Sequence, residues 1–363
     1  MHQKNKTIVL ILALAALCFN QSQAEYSLTT ISNPGPFPDT WAYGISGTNI
    51  VGCYESANDG HGDPKGFLYD GSNFITLTVP DAIYFTEAFG ISGHNIVGSY
   101  GNNSGFYGFL YDGTNYTTLS VPGANATWAY GISGNQVVGY YVFGPGSSYT
   151  NQGFLYNDGT YSTLSVPGAV DTYPQGISGH NIVGYYDYGT DTYGDSISPQ
   201  GFLYDGTNFI TLSVPGATYT QAYGISGNKI VGTSSLGSFL YDGSSYTILD
   251  FSLPLQPVCR GICGNNIVGY YLAVTGYMQG LLATPVHAPL APAILTISAL
   301  GVGQLQIAVT NGIPGTDNAT NVLQSTTDLV HWTSISTNIS SSQNFTNIVS
   351  ATNAMTFYRV YTK

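Results

Sequence analysis

Between Tyr26 and about Pro285 the chain alternates short apolar runs, rich in Ile, Val, Tyr, Phe and Thr, with punctuation by Gly, Asn, Asp and Pro. The runs are too short for helices, and their composition suits a half-buried pleated chain, so they predict strands. They recur in sets. A run of the type AYGIS is followed across Gly-Asn, Gly-His or Gly-Thr by NIVGYY, and GFLYD is followed across Asp-Gly by NYTTLSV. Both junctions tolerate the positive φ of a tight hairpin. Val-Pro-Gly-Ala then ends the ladder, because proline has no amide hydrogen to give it.

The glycine that opens the GIS signature falls at Gly44, Gly90, Gly131, Gly176, Gly224 and Gly261, in steps of 46, 41, 45, 48 and 37 residues. A period in the low forties with four strands per copy is the range of a propeller blade. The last copy leaves the pattern at Thr284-Pro285 before a fourth strand, and the missing piece stands at the other end, where YSLTTI from Tyr26 to Ile31 reads like YTTLSV. The expectation is an all-β chain: a six-bladed β-propeller closed by its N-terminal strand, which removes an open sheet edge. An open β-helix is the alternative. Ile45, Val51, Phe67, Leu68 and their copies are expected to pack neighbouring sheets, with the many glycines letting the blades crowd the axis.

The ends of the chain add two further segments. Residues 1–24 carry Lys4 and Lys6, an apolar run from Ile8 to Phe19 and Ser22-Gln23-Ala24, the make-up of a secretory signal peptide. The expected product is exported and begins near Glu25. No later stretch is long enough to predict a membrane span. After the propeller, taken as 25–284, a proline-rich linker at 285–293 leads to residues 294–363. There, runs at Ile294 to Ala299, Leu305 to Thr310, Val322 to Ser325, Trp332 to Ser336, Phe345 to Val349 and Thr356 to Tyr361 predict a small β-sandwich.

Charge narrows the partners. Charged residues make up 7% of the chain, far below an ordinary globular protein, and the net charge is −12. Between Tyr26 and Pro285 the basic residues are Lys65, Lys229 and Arg260 alone. Nucleic acid is thereby excluded, since phosphate binding needs a basic footprint. A surface rich in Tyr, Asn and Thr suits an extracellular glycan or a cell-surface component, and equally well plain solubility. Beyond the leader the cysteines are Cys53, Cys259 and Cys263. Cys259 and Cys263 are too far apart on one strand to bond each other, whereas ring closure leaves open a bond from Cys53 to either. The other reading is three small core residues.

The loops after the second and fourth strands of each copy vary, and a rigid scaffold concentrates function there. Trp41, Trp128 and Tyr173 share one repeat column, three residues before the signature glycine, and with Tyr84 and Tyr219 they are candidates for stacking on sugar rings. Packing between blades is the plainer role for the same side chains. In the other copies that column holds Glu87, Gln221 and Val258. Asp59 and Asp63, with His61 between them, and Asp187, Asp191 and Asp195 are candidate calcium ligands, carboxylates on flexible loops. Neither cluster has EF-hand spacing, and solvated turn residues are the plainer reading of both. Enzyme signatures are missing: the sequence holds no Gly-x-Ser-x-Gly elbow, His-Glu-x-x-His or phosphate loop, and no catalytic residue is assigned. His94 and His180 read as hairpin tips.

At GISGNQVVGYY (131–141) and GFLYDGTNYTTL (108–119) the repeats resemble the extracellular HAF-type repeats, departing from them where the third strand ends Phe-Leu-Tyr rather than Phe-Leu-Trp. Thr327-Asp328-Leu329, Trp332-Thr333 and Phe357-Tyr358-Arg359 resemble the fibronectin-III-like C-terminal module of secreted bacterial proteins. These resemblances imply an exported propeller with an accessory domain and bring no established chemistry. The function expected is a secreted, non-enzymatic binding or surface-interaction repeat protein. The alternatives are a polysaccharide lyase or glycoside hydrolase working at the channel mouth, and a purely structural extracellular repeat.

Overall fold

A computed structural model describes residues 26–286, apart from 34, 36–38, 56–62, 146–148, 190–197, 252 and 254, and beyond them the backbone of the strands between 294 and 362. The chain divides into two compact units, Met1–Pro285 and Val286–Lys363. The first is all-β. It opens with β1 (Tyr26–Ile31), followed by β2 (Thr40–Ser46), β3 (Asn49–Glu55), β4 (Pro64–Tyr69) and β5 (Phe74–Leu77). The second repeat supplies β6 (Thr86–Ser92), β7 (Asn95–Asn102), β8 (Gly105–Tyr111) and β9 (Tyr116–Leu119), and the third β10 (Ala126–Ser133), β11 (Gln136–Phe143), β12 (Thr150–Asn157) and β13 (Thr160–Leu164). Then come β14 (Asp171–Ser178), β15 (Asn181–Asp187), β16 (Gln200–Tyr204) and β17 (Phe209–Leu212), and β18 (Thr220–Ser226), β19 (Lys229–Ser234), β20 (Gly237–Tyr241) and β21 (Tyr246–Ile248). The sixth repeat has only β22 (Val258–Cys263), β23 (Asn266–Leu272) and β24 (Met278–Pro285).

The hairpins form where their turn residues predict. Gly47 and its copies Gly93, Gly134, Gly179, Gly227 and Gly264 take φ near +60° between the first and second strands. In the Asp-Gly turns the aspartate carboxylate accepts backbone N–H groups two and three residues on, as from Ser72 (2.9 Å) and Asn73 (2.8 Å) to Asp70. The fourth strand is held by a side-chain rung as well as its ladder. The tyrosine hydroxyl of the second strand meets a threonine on the fourth, as at Tyr54–Thr76 (2.9 Å) and Tyr100–Thr118 (3.0 Å).

In the sixth repeat the N-terminal strand takes the fourth place, as expected. β1 pairs antiparallel with β24 from Tyr26↔Pro285 to Ile31↔Gly280, and Thr30 supplies the rung to Tyr271 at 3.3 Å. The first strands succeed one another around a closed circuit, β2 beside β6, then β10, β14, β18 and β22, with β22 beside β2 again. Six separate apolar cores fill the gaps between successive repeats, the last joining Ile31 and Val268 to Ala42, Ile45 and Phe67. The arrangement is propeller-like. Ile45, Val51 and Phe67 are buried in it, and Leu68 is partly buried.

Counted by hydrogen bonding, the sheets are not six equal fours. Four are four-stranded, and the second and third repeats merge into one eight-stranded sheet. The cause is local. A single parallel bridge, Ala126↔Phe106, links β10 to β8, while the two meanders on either side of it keep the register of the other repeats.

Two devices tighten the inner circuit. A Cβ on Gly44 would stand 2.7 Å from the Phe89 carbonyl oxygen, and one on Gly90, Gly131, Gly176, Gly224 or Gly261 would stand 2.4 to 2.9 Å from the equivalent oxygen of the next repeat, closing on Tyr43. No side chain fits there, so the signature glycine is a matter of space. Beside it, the signature serine receives the N–H of the next repeat's turn glycine: Gly93 to Ser46 (3.1 Å), Gly134 to Ser92 (3.3 Å), Gly179 to Ser133 (3.1 Å), Gly227 to Ser178 (3.1 Å) and Gly264 to Ser226 (3.0 Å). Cys263 replaces serine in the sixth repeat, and its sulfur receives Gly47 N–H at 3.4 Å.

The second unit contains β25 (Ile294–Gly301), β26 (Gln304–Thr310), β27 (Thr320–Thr326), β28 (Thr333–Ile339), β29 (Asn344–Ser350) and β30 (Phe357–Thr362). They form two three-stranded antiparallel sheets, in the orders β25-β26-β29 and β28-β27-β30.

Candidate functional site

Three side-chain columns lie on the first and second strands of the repeats. One is Trp41, Glu87, Trp128, Tyr173, Gln221 and Val258, and the strand register pairs it with Cys53, Ser99, Tyr140, Tyr185, Thr233 and Tyr270. A bulge then resets each first strand, so that Tyr43, Phe89, Tyr130, Gln175, Tyr223 and Arg260 line the axial cavity just before the glycine circuit. That cavity is about 70 Å³.

Aromatic contacts run continuously around it. Tyr43 packs on Phe89 (centroids 5.2 Å apart), Phe89 on Tyr130 (4.4 Å), Tyr130 on Tyr140 (5.7 Å), Tyr140 on Tyr173 (5.1 Å), Tyr173 on Tyr185 (4.8 Å) and Tyr185 on Tyr223 (6.2 Å). Arg260 closes the circuit, its guanidinium carbon 4.0 Å from the Tyr223 centroid and 5.4 Å from that of Tyr43. These spacings are those of favourable ring pairs and of a cation over a ring face. Trp128 is stacked on Tyr140 at 5.1 Å and on the exposed Phe106 at 6.1 Å, which carries the aromatic surface outward.

Electrostatically the belt is asymmetric. Cys53 Sγ lies 3.8 Å from both the Tyr43 hydroxyl and Glu87 Oε1. Burial raises the Glu87 carboxyl, against the opposing pull of the Cys53 contact and Arg260. Burial likewise pushes the hydroxyls of Tyr43, Tyr130 and Tyr185 up, so the tyrosines are neutral donors. Ser99, opposite Glu87 in register, is fully buried and its hydroxyl has no hydrogen-bond partner.

The aromatic candidates divide. Trp41, Trp128 and Tyr173 sit in the innermost strands themselves rather than in loops, half-buried at one level of the axis. Tyr84 and Tyr219 lie in the loops leading to those strands, where the Tyr84 hydroxyl donates to Asn103 Oδ1 at 2.7 Å; neither belongs to the belt. Asp59, Asp191 and Asp195 lie outside the described residues, as does His61. Asp63 precedes β4, half-buried. Asp187 is buried at the end of β15 opposite Asp171, whose carboxyl is pushed up by burial, held down by Asn151 N–H and raised again by Asp187. Among the described residues no group of three or more His, Cys, Asp and Glu is arranged to hold a metal. Cys53, Cys259 and Cys263 are free: Cys53 is buried against Tyr43 and Glu87, Cys259 is buried between repeats and Cys263 serves the serine position. Sequence reasoning counted Arg260 among the basic residues and did not place it in the site; its signal is that it is the one cation in a column otherwise aromatic or amide.

No protein-family model matches the chain, and no curated protein does. Among solved structures, one described as a glycoside hydrolase aligns over 88% of this chain and 96% of its own at 7% identity, with a TM-score of 0.32. Likeness that remote carries no argument about chemistry. Among the described residues no helix is long and apolar enough to cross a membrane.

Proposed function

We propose that the chain is a secreted, non-enzymatic binding protein: a six-bladed propeller that takes an extracellular glycan on its axial aromatic surface, with a C-terminal sandwich as accessory module. The carrying observation is the contiguous aromatic run Phe106, Trp128, Tyr140, Tyr173 and Tyr185, stacked except for the edge-on Tyr140–Tyr173 pair and half-buried or exposed. Flat amphipathic rings with one wet edge match the apolar faces of sugar rings, and a few polar groups beside them orient the ligand. The count of six blades is supported by the glycine circuit and the six inter-repeat cores. Weighing toward binding over hydrolysis, the three axial columns contain one carboxylate, Glu87, where glycoside hydrolysis ordinarily uses two. Export by the leader at 1–24, the HAF-type and fibronectin-III-like resemblances, and calcium on the loops bearing Asp63 and Asp187 belong to the same reading.

The test is a glycan array probed with the full mature chain beside a working lectin. Binding should fall at least about tenfold in a Trp128→Ala, Tyr173→Ala double variant whose circular dichroism and melting are retained, the loss expected when anchoring aromatics are truncated. A blank array sinks the glycan reading, and turnover of a polysaccharide that disappears in Glu87→Gln replaces it with the enzymatic one.

A further inference from the structure

We propose that the axis is also an anion site, in which the Arg260 guanidinium receives the carboxylate of an acidic sugar whose ring lies on the neighbouring aromatics. This rests on the glycan reading and assigns it a substrate class. Of the three basic residues between Tyr26 and Pro285, Arg260 alone lines the axial cavity. Its guanidinium carbon lies over the rings of Tyr223 and Tyr43, contacts that engage the cation's charge and leave its N–H donors unused. Among the described residues those donors meet no protein acceptor and no carboxylate at ion-pair distance, yet they are not sealed from open space, since the one sealed side-chain polar atom without a partner is Ser99 Oγ. A guanidinium with unused donors at a cavity is the fork that carboxylates fit.

Position sets the division of labour. Trp128, Tyr140, Tyr173 and Tyr185 do not line the cavity, so the carboxylate is met at Arg260 while the ring stays on the aromatic run that adjoins Tyr130 and Tyr223. The one acid in the columns, Glu87, opposes an incoming anion. Burial favours its neutral form, and the buried Ser99 hydroxyl opposite it is a further donor without an acceptor. The chain's net charge of −12 opposes an anion elsewhere, and Arg260 is the cation that meets one at the axis.

The experiment titrates the full mature chain, by calorimetry, with oligogalacturonate and oligoglucuronate, with the neutral galactose and glucose oligomers, and with acetate. Acidic sugars should bind at least about tenfold tighter than neutral ones. Arg260→Gln should erase that ratio while leaving neutral binding in place, and Glu87→Gln should keep or enlarge it. If Arg260→Gln does not fold, Arg260→Lys should cut the ratio severalfold, because a point charge lacks the planar fork. Equal binding of acidic and neutral sugars, or an unchanged ratio in the Arg260 variants, overturns this inference and leaves the glycan reading standing. Acetate binding as tightly as the uronates overturns the sugar assignment. Silence from both sugar classes removes both readings.

Discussion

At Gly90 a methyl group would meet the Tyr130 carbonyl oxygen at 2.4 Å, and that oxygen belongs to a backbone held in the next repeat. Gly90→Ala should therefore cost about 3 kcal/mol in urea unfolding, the upper range for overpacking. Gly134 is the control: it has φ +59° and nothing within 4 Å of an added Cβ, so Gly134→Ala should cost about 1 kcal/mol, the conformational penalty alone. Equal costs would mean that the inner circuit yields. Glu87 gives a pH signature at the same scale. Its folded pKa is raised above the unfolded value of about 4.3, so its stabilising share is complete below that pH and is lost as pH rises through the folded pKa. The turn aspartates Asp70, Asp112 and Asp205 run the other way, because backbone N–H groups lower their carboxyls, and the stability they bring is lost as pH falls. Subtracting wild type from Glu87→Gln removes them. The variant's melting temperature should rise relative to wild type between pH 4 and pH 8, and a flat difference would show that burial does not act on this carboxyl.

The strand that matters most is the shortest in sequence signal. YSLTTI resembles the fourth strand of every repeat, and β1 occupies that position with the full ladder, the threonine rung and a buried Ile31. A chain lacking residues 25–31 should leave β24 as an open edge. We expect a fall in melting temperature of about 10 °C, a loss of several kcal/mol, together with self-association. Adding back a peptide of residues 25–33 should reverse both, and an unchanged melting curve would show that closure by β1 is dispensable. Strands and hairpins were legible because their causes are local: alternation, Asp-Gly, and Gly-Asn at a turn. The merger of the second and third repeats into one sheet was not, because it depends on where the crossing chain brings Ala126 past Phe106.

Across the whole ring, six similar copies do not make six similar sites. Aromatics crowd the third and fourth repeats at Trp128, Tyr140, Tyr173 and Tyr185, while the remaining repeats place Glu87, Ser99, Gln221, Thr233, Val258 and Arg260 among their own aromatics in the same columns. One composite site follows, so calorimetric titration should give a stoichiometry of about one ligand per chain. A value near three or six would return the function to the separate repeats.

By itself the sequence determined the all-β class, the period, the hairpins and the use of the N-terminal strand to complete the sixth repeat. Each rests on chemistry within a few residues or on a pattern repeated until it is unmistakable. The tertiary structure decided the rest. Whether Trp41, Trp128 and Tyr173 sat in loops or on the inner strands, and which rings touched, depended on a circuit joining residues some forty positions apart. Cys263 takes a serine's place because the ring returns to Gly47. Arg260 lies between Tyr223 and Tyr43 for the same reason. A repeat specifies its own fold locally, but only closure puts the odd residues of different copies side by side.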